Sequence, residues 1–236
     1  MEIQISVSKI SQYSSDEGGD TLEVVERPNG GLSVVLSAAS TSVNNPKILS
    51  TIVVRKVISL LAEGVRDGAA ARAASDYLYT EQDGRVSATL NILSVDLQTK
   101  TLVITRNNPT PVFIAHNDVI DSLGSDSVPI GTSRNIRPSI CEFELTLGLT
   151  VILFTEGLSH AGEQYGKHMD IHTTIEAILE DQNPTAQEIS DSLLSHAIRM
   201  EESRPSNDIS IVVLRVVKRT GDMARRMTVR LPIGKD

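Results

Sequence analysis

The chain has 236 residues, enough for one domain with a substantial core. Hydrophobic residues make up 40% and charged residues 22%; with aromatics at 3% and no Trp, Leu, Ile, Val and Ala must fill that core. The net charge of −8 excludes indiscriminate nucleic-acid binding, and the single cysteine, Cys141, excludes an internal disulfide or a Cys-based zinc cluster.

In chain order, residues 2–9 and 21–27 alternate apolar and polar, the period of a half-buried strand. Pro28-Asn29-Gly30-Gly31 reads as a turn into a buried strand, Leu32–Leu36, and Ser37–Asn45 reads as a loop. A helix opens at Pro46, whose fixed φ suits a first turn, and Gly64 marks its stop. An Ala-rich helix covers Asp67–Tyr79. Strands follow at Val86–Asp96 and Thr101–Arg106, then at Pro111–Ala115 and Val119–Leu123. Phe143–Leu147 and Thr150–Thr155 read as a hairpin about Gly148, and Cys141 as a buried core thiol. Two helices come next. The second starts at Asn183-Pro184-Thr185, with Glu188 completing a capping-box pattern. Ile209–Val217 is a strongly apolar strand. Residues 218–236 form a basic extension with Lys218, Arg219, Arg225, Arg226 and Arg230, in which Met227–Ile233 reads as one more strand.

Grouped strands with helices inserted in pairs are not the strict alternation of a parallel sheet; they predict an antiparallel α+β domain of two sheets flanked by helix pairs. Met1-Glu2-Ile3-Gln4 lacks the basic and apolar regions of a secretory signal, and no apolar run approaches the ~20 residues that span a bilayer. A cytoplasmic location, with neither membrane nor nucleic acid as partner, is the expectation.

Several short motifs carry more. Gly18-Gly19-Asp20 follows the first strand, and Arg85–Leu90 contains an Ala88-Thr89 pair. Pro129-Ile130-Gly131 is a turn, Val151–Leu158 ends in Thr155-Glu156-Gly157, and Ser206-Asn207-Asp208 precedes the last strand. In this order they resemble the signatures of the metal-dependent protein phosphatases (PPM, type-2C class), in the bacterial SpoIIE-like branch, over residues 1–217. The resemblance implies an αββα sandwich and catalysis by acidic residues at strand ends that hold two Mn²⁺ or Mg²⁺ ions. Two divalent cations about 4 Å apart repel by on the order of 15 kcal/mol, so several anionic oxygens must offset them.

Carried onto this chain, the four family positions are Asp20, Ala38, Glu156 and Asn207. Asp20 is intact. Ala38, in an Ala38-Ala39 pair, stands where an Asp-Gly pair is expected, and a methyl group binds no cation. Glu156 reaches one methylene further than the expected Asp, and Asn207 offers a neutral amide. Asp20 and Glu156, with Asp208 brought in by a register shift, are the remaining candidate metal ligands, for one weakly held Mn or Mg ion at best. Ser40, Thr41 and Asn44 are the candidate binding groups of the altered loop. Each acid also has a plainer reading: Asp20 and Asp208 as turn residues, Glu156 as a helix-start acid. His168 and His172 have helical i,i+4 spacing, yet lack a third zinc ligand and read as solvated helix-start residues.

The replacements predict a pseudophosphatase or weakly active domain that binds a phosphoprotein or a regulator of the anti-sigma-factor antagonist type in bacterial signalling. The alternative is an active Mn/Mg-dependent Ser/Thr protein phosphatase with an altered metal site. A third reading is a scaffold that self-associates through sheet edges or the basic tail, the oligomeric state being open.

Overall fold

The computed structural model describes residues 1–15, 18–39, 45–117, 119–124, 127–180 and 183–233. Among them, ten strands form two antiparallel five-stranded sheets. The first sheet runs in the order β1 (Glu2–Ile10), β10 (Ile209–Val217), β9 (Thr150–Phe154), β6 (Val112–His116), β7 (Val119–Leu123). The second runs β2 (Thr21–Glu26), β3 (Leu32–Ala39), β4 (Ala88–Asp96), β5 (Thr101–Asn107), β8 (Ser139–Glu144).

Strand period decides what each side chain meets. Val34 and Leu36 of β3, Leu93 and Val95 of β4, Val151 and Leu153 of β9, and Val212, Leu214 and Val216 of β10 fill the gap between the sheets. Residues of opposite parity meet helices. Val35, Leu90 and Ile92 pack under α1 (Pro46–Ala62) and α2 (Asp67–Glu81). Ile152, Phe154, Ile211 and Val213 pack under α4 (Ile171–Leu179) and α5 (Ala186–Met200). The central strands therefore read as continuous apolar runs because both of their faces are covered. The result is the αββα sandwich of two antiparallel sheets with a helix pair outside each.

Most element expectations hold, including the start of α1 at Pro46 and the reciprocal capping box of Thr185 and Glu188. Four require correction. β3 continues through Ala39, paired with Ala88 of β4, so Ser37–Ala39 belong to a strand and not to a loop. The segments about Gly148 form no hairpin: β8 lies at the edge of one sheet beside β5, and β9 lies inside the other. Gly148, at φ +89°, sits in the turn that carries the chain across the sandwich. Cys141 is half-buried, not a core thiol, because β8 is an edge strand that alternates exposed residues. Met227–Ile233 forms no strand; the segment is exposed, and Pro232 lacks the N–H that a ladder needs.

Candidate functional site

The parity that fills the inter-sheet core also builds a polar cluster at one end of it. Lys9 shares the face of Ile3, Ile5 and Val7; Ser210 shares that of Val212, and Thr155 that of Leu153. From the facing sheet, Ala38 shares the face of Val34 and Leu36. Asp20 stands two residues before Leu22, on the approach to β2. Polar residues at these strand ends thus take over where the apolar filling stops.

Asp20 is the centre of the cluster and is only 4% exposed. Its Oδ2 accepts hydrogen bonds from the hydroxyls of Ser210 (2.7 Å) and Thr155 (2.8 Å), and the Thr155 hydroxyl accepts from the Ser210 amide (3.0 Å). Burial raises the Asp20 pKa to about 6; the two hydroxyls pull it down, and Asp208 adds to the rise. The Asp20 backbone carbonyl accepts from two ammonium groups, Lys9 Nζ at 2.5 Å and Lys47 Nζ at 2.7 Å. Lys47 is the second residue of α1, which the Ser50 hydroxyl pins to the Gly19 carbonyl at 2.5 Å.

Asp208 is adjacent but differently used. Its carboxylate accepts from the amides of Gln12 (2.9 Å) and Gly19, tying the segment after β1 to the turn before β10. Two glycines make room for that turn. A Cβ on Gly157 would lie 2.1 Å from the Asp208 carbonyl oxygen, and one on Gly18 would lie 2.6 Å from Asp208 Oδ1. The three motifs Gly-Gly-Asp, Glu-Gly and Asn-Asp therefore converge on one point.

Glu156 does not join them. It opens the short α3 (Glu156–Ser159) with its side chain 72% exposed, 3.7 Å from His160 Nδ1. Asn207 is half-buried beside Asp208. Ala38 exchanges hydrogen bonds with the Thr89 side chain across the β3–β4 ladder, its amide donating at 3.2 Å. Ser40, Thr41 and Asn44 lie outside the described residues. His168 sits before the Asp170 cap of α4, 3.8 Å from Glu163, while His172 packs edge-on against Phe113; the two do not share a helix face. Among the described residues, no group of three or more His, Cys, Asp or Glu side chains is arranged to hold a metal ion.

Thr155 belongs to the Thr155-Glu156-Gly157 motif, whereas Lys9, Lys47 and Ser210 do not stand out in their sequence context. Two signals could have pointed to them: Ser210 is a polar residue within an apolar run, and Lys9 is a charge on the inward parity of β1.

Known proteins share this fold. The sequence model of the family described as Stage II sporulation protein E (SpoIIE) matches residues 46–217. Stage II sporulation protein E of Bacillus subtilis is 22% identical over 157 residues, 66% of this chain and 19% of that protein, so the chain spans about a fifth of the relative's length. The solved PP2C phosphatase domain of SpoIIE from Bacillus subtilis, with a fragment of its regulatory domain, superposes with a TM-score of 0.77 at 18% identity. That match covers 92% of this chain and 64% of the other. The catalytic domain of the serine/threonine protein phosphatase PstP, solved in complex with two manganese ions, gives 0.68 at 14% identity over 92% and 99% of the two chains.

Proposed function

We propose that this chain, which belongs to the Stage II sporulation protein E (SpoIIE) family of PP2C-like serine/threonine phosphatase domains, binds a phosphorylated protein partner without the turnover of a dinuclear metal enzyme. Ala38 carries this reading. It occupies the inward-facing end of β3, where the family resemblance expects the carboxylate that bridges two metals, and its backbone is held in the ladder opposite Thr89.

The other donors fit two cations no better. Asp208 already accepts two backbone N–H groups, Glu156 lies outward beside His160, and Asp20 accepts two hydroxyls inside the protein. Among the described residues, too few anionic oxygens remain to offset the repulsion of two divalent ions. The manganese of the PstP structure belongs to that protein. These residues hold a polar, cation-bearing cluster at the end of the inter-sheet gap. A phosphorylated regulator of the anti-sigma-factor antagonist type is the partner class this reading favours, in bacterial signalling within the cytoplasm.

A second reading keeps the domain active with an altered site, because Asp20 and Asp208 remain neighbouring carboxylates. Manganese-dependent hydrolysis of p-nitrophenyl phosphate separates the two. No rate above blank is expected for the wild-type chain. A clear manganese-dependent rate that Asp20→Ala abolishes would overturn the first reading in favour of the second.

A further inference from the structure

We propose that Lys9 and Lys47 form a metal-independent site for a phosphoryl dianion at the end of the inter-sheet gap. This deepens the phosphoprotein reading above and rests on it.

Both ammonium groups converge on a single neutral acceptor, the Asp20 carbonyl oxygen, so they lie no more than about 5 Å apart. Bringing two like charges together costs energy unless an anion is shared between them. Each ammonium has three donors, and the carbonyl takes one from each. Among the described residues, neither ammonium has a carboxylate within 4.0 Å, although Asp20 and Asp208 are close by. Those two carboxylates are engaged by protein donors instead, Asp20 through its Oδ2 by Thr155 and Ser210, and Asp208 by the Gln12 and Gly19 amides.

Access is available as well. Lys9 is partly open to solvent, with its ammonium end turned in towards the Asp20 carbonyl, and Lys47 is half-buried. The ammonium of Lys9 is nonetheless perturbed: desolvation lowers its pKa first and Lys47 next, as expected of a cation drawn out of water beside a like charge. Lys47 lies in the first turn of a 17-residue helix that has no acidic residue there and no side-chain cap, so the helix adds positive potential in the same direction. A phosphoryl dianion matches two ammonium charges at this spacing in size and valence. In a dinuclear phosphatase such a group is held between divalent cations; here the cations are side chains.

The test is calorimetric titration of the full chain with inorganic phosphate and with O-phospho-L-serine, in EDTA. Saturable binding is expected, weakened roughly tenfold or more by Lys9→Gln and by Lys47→Gln, retained by Lys47→Arg, and unchanged by Lys56→Gln. Shifts of the Gly19 and Lys47 amide resonances of the wild-type chain on adding phosphate provide a readout that needs no variant. No binding in EDTA, or binding that the two Gln variants leave intact, overturns the lysine site and leaves the hydrolysis assay to decide the broader reading. Binding that appears only with Mn²⁺ and is lost in Asp20→Ala overturns both.

Discussion

Asp20 sits where ionisation is costly, and the sign of that cost sets a pH dependence. Burial lifts its pKa from 3.8 to about 6, against the pull of Ser210 and Thr155. A carboxyl whose pKa is higher in the folded protein binds its proton more tightly there, so folding is favoured below pH 3.8 and the advantage is lost as pH rises through 6. A rise of that size corresponds to ~3 kcal/mol between the two protonation states. In EDTA, Asp20→Asn should therefore raise stability at about pH 7.5, with a gain that shrinks towards about pH 4, as measured by urea unfolding across that range. A gain that is constant with pH would refute the assignment. Arg106 is a buried charge held by backbone carbonyls through its two terminal nitrogens, with its Nε buried and unpartnered among the described residues. It is 2% exposed, and its guanidinium donates to the carbonyls of Gly124 (2.7 Å), Leu123 (2.9 Å), Asn108 (3.2 Å) and Thr110 (3.3 Å). Arg106→Met would strand several buried carbonyls and should cost ~2–4 kcal/mol in the same assay. Single residues are the least legible scale in the sequence. Asp20 is readable because a motif frames it, whereas Lys9 and Ser210 matter only through the register Lys9↔Ser210, which local pattern does not contain.

At the scale of elements, the site depends on how closely the start of α3 meets the turn before β10. A Cβ at Gly157 would come 2.1 Å from the Asp208 carbonyl oxygen, and that oxygen is backbone, so a rotamer change cannot relieve it. Gly157→Ala should push the 206–208 turn away and release the Asp208 clasp on Gln12 and Gly19. The expected outcome is a loss of ~2–4 kcal/mol in thermal or urea unfolding, with amide exchange at Gly19 accelerated more than in the strands of the far sheet. Glu201 supports the same corner. It is 1% exposed and accepts from the Gly162 amide (2.7 Å), the Gln164 amide group (2.8 Å) and the Ser206 amide (2.9 Å). Helices are legible in the sequence because Pro46 and the Thr185–Glu188 box act locally. Strand pairing is not. The neighbourhood of Gly148 looks like a hairpin because hairpins are the commonest way to join two adjacent strands, but β8 and β9 each find partners in opposite sheets. Likewise, Ala38 and Ala39 carry weak strand signals of their own and stay in β3 because β4 pairs with them.

For the whole molecule, the sandwich closes without the C-terminal extension. Its core is complete at Val216, and residues 218–233 lie exposed, including Met223, Met227, Val229, Leu231 and Ile233. Among the described residues, the extension's hydrogen bonds to the body come from Arg225, to Glu26 (2.7 Å) and to the Gly30 carbonyl (3.1 Å). Both partners of that ion pair are more than half exposed, so it contributes less than ~1 kcal/mol. A chain ending at Val217 should fold with its melting temperature changed by no more than about 3 °C, since ~1 kcal/mol shifts a domain of this size by that amount. Electrostatics would change more than stability. Removing residues 218–236 takes away six basic and two acidic residues, moving the formal net charge from −8 to −12. If the exposed apolar and basic tail mediates self-association, the full chain will show a molar mass by light scattering that rises with concentration, whereas the shortened chain will not. Equal, concentration-independent masses for the two would overturn self-association through the tail.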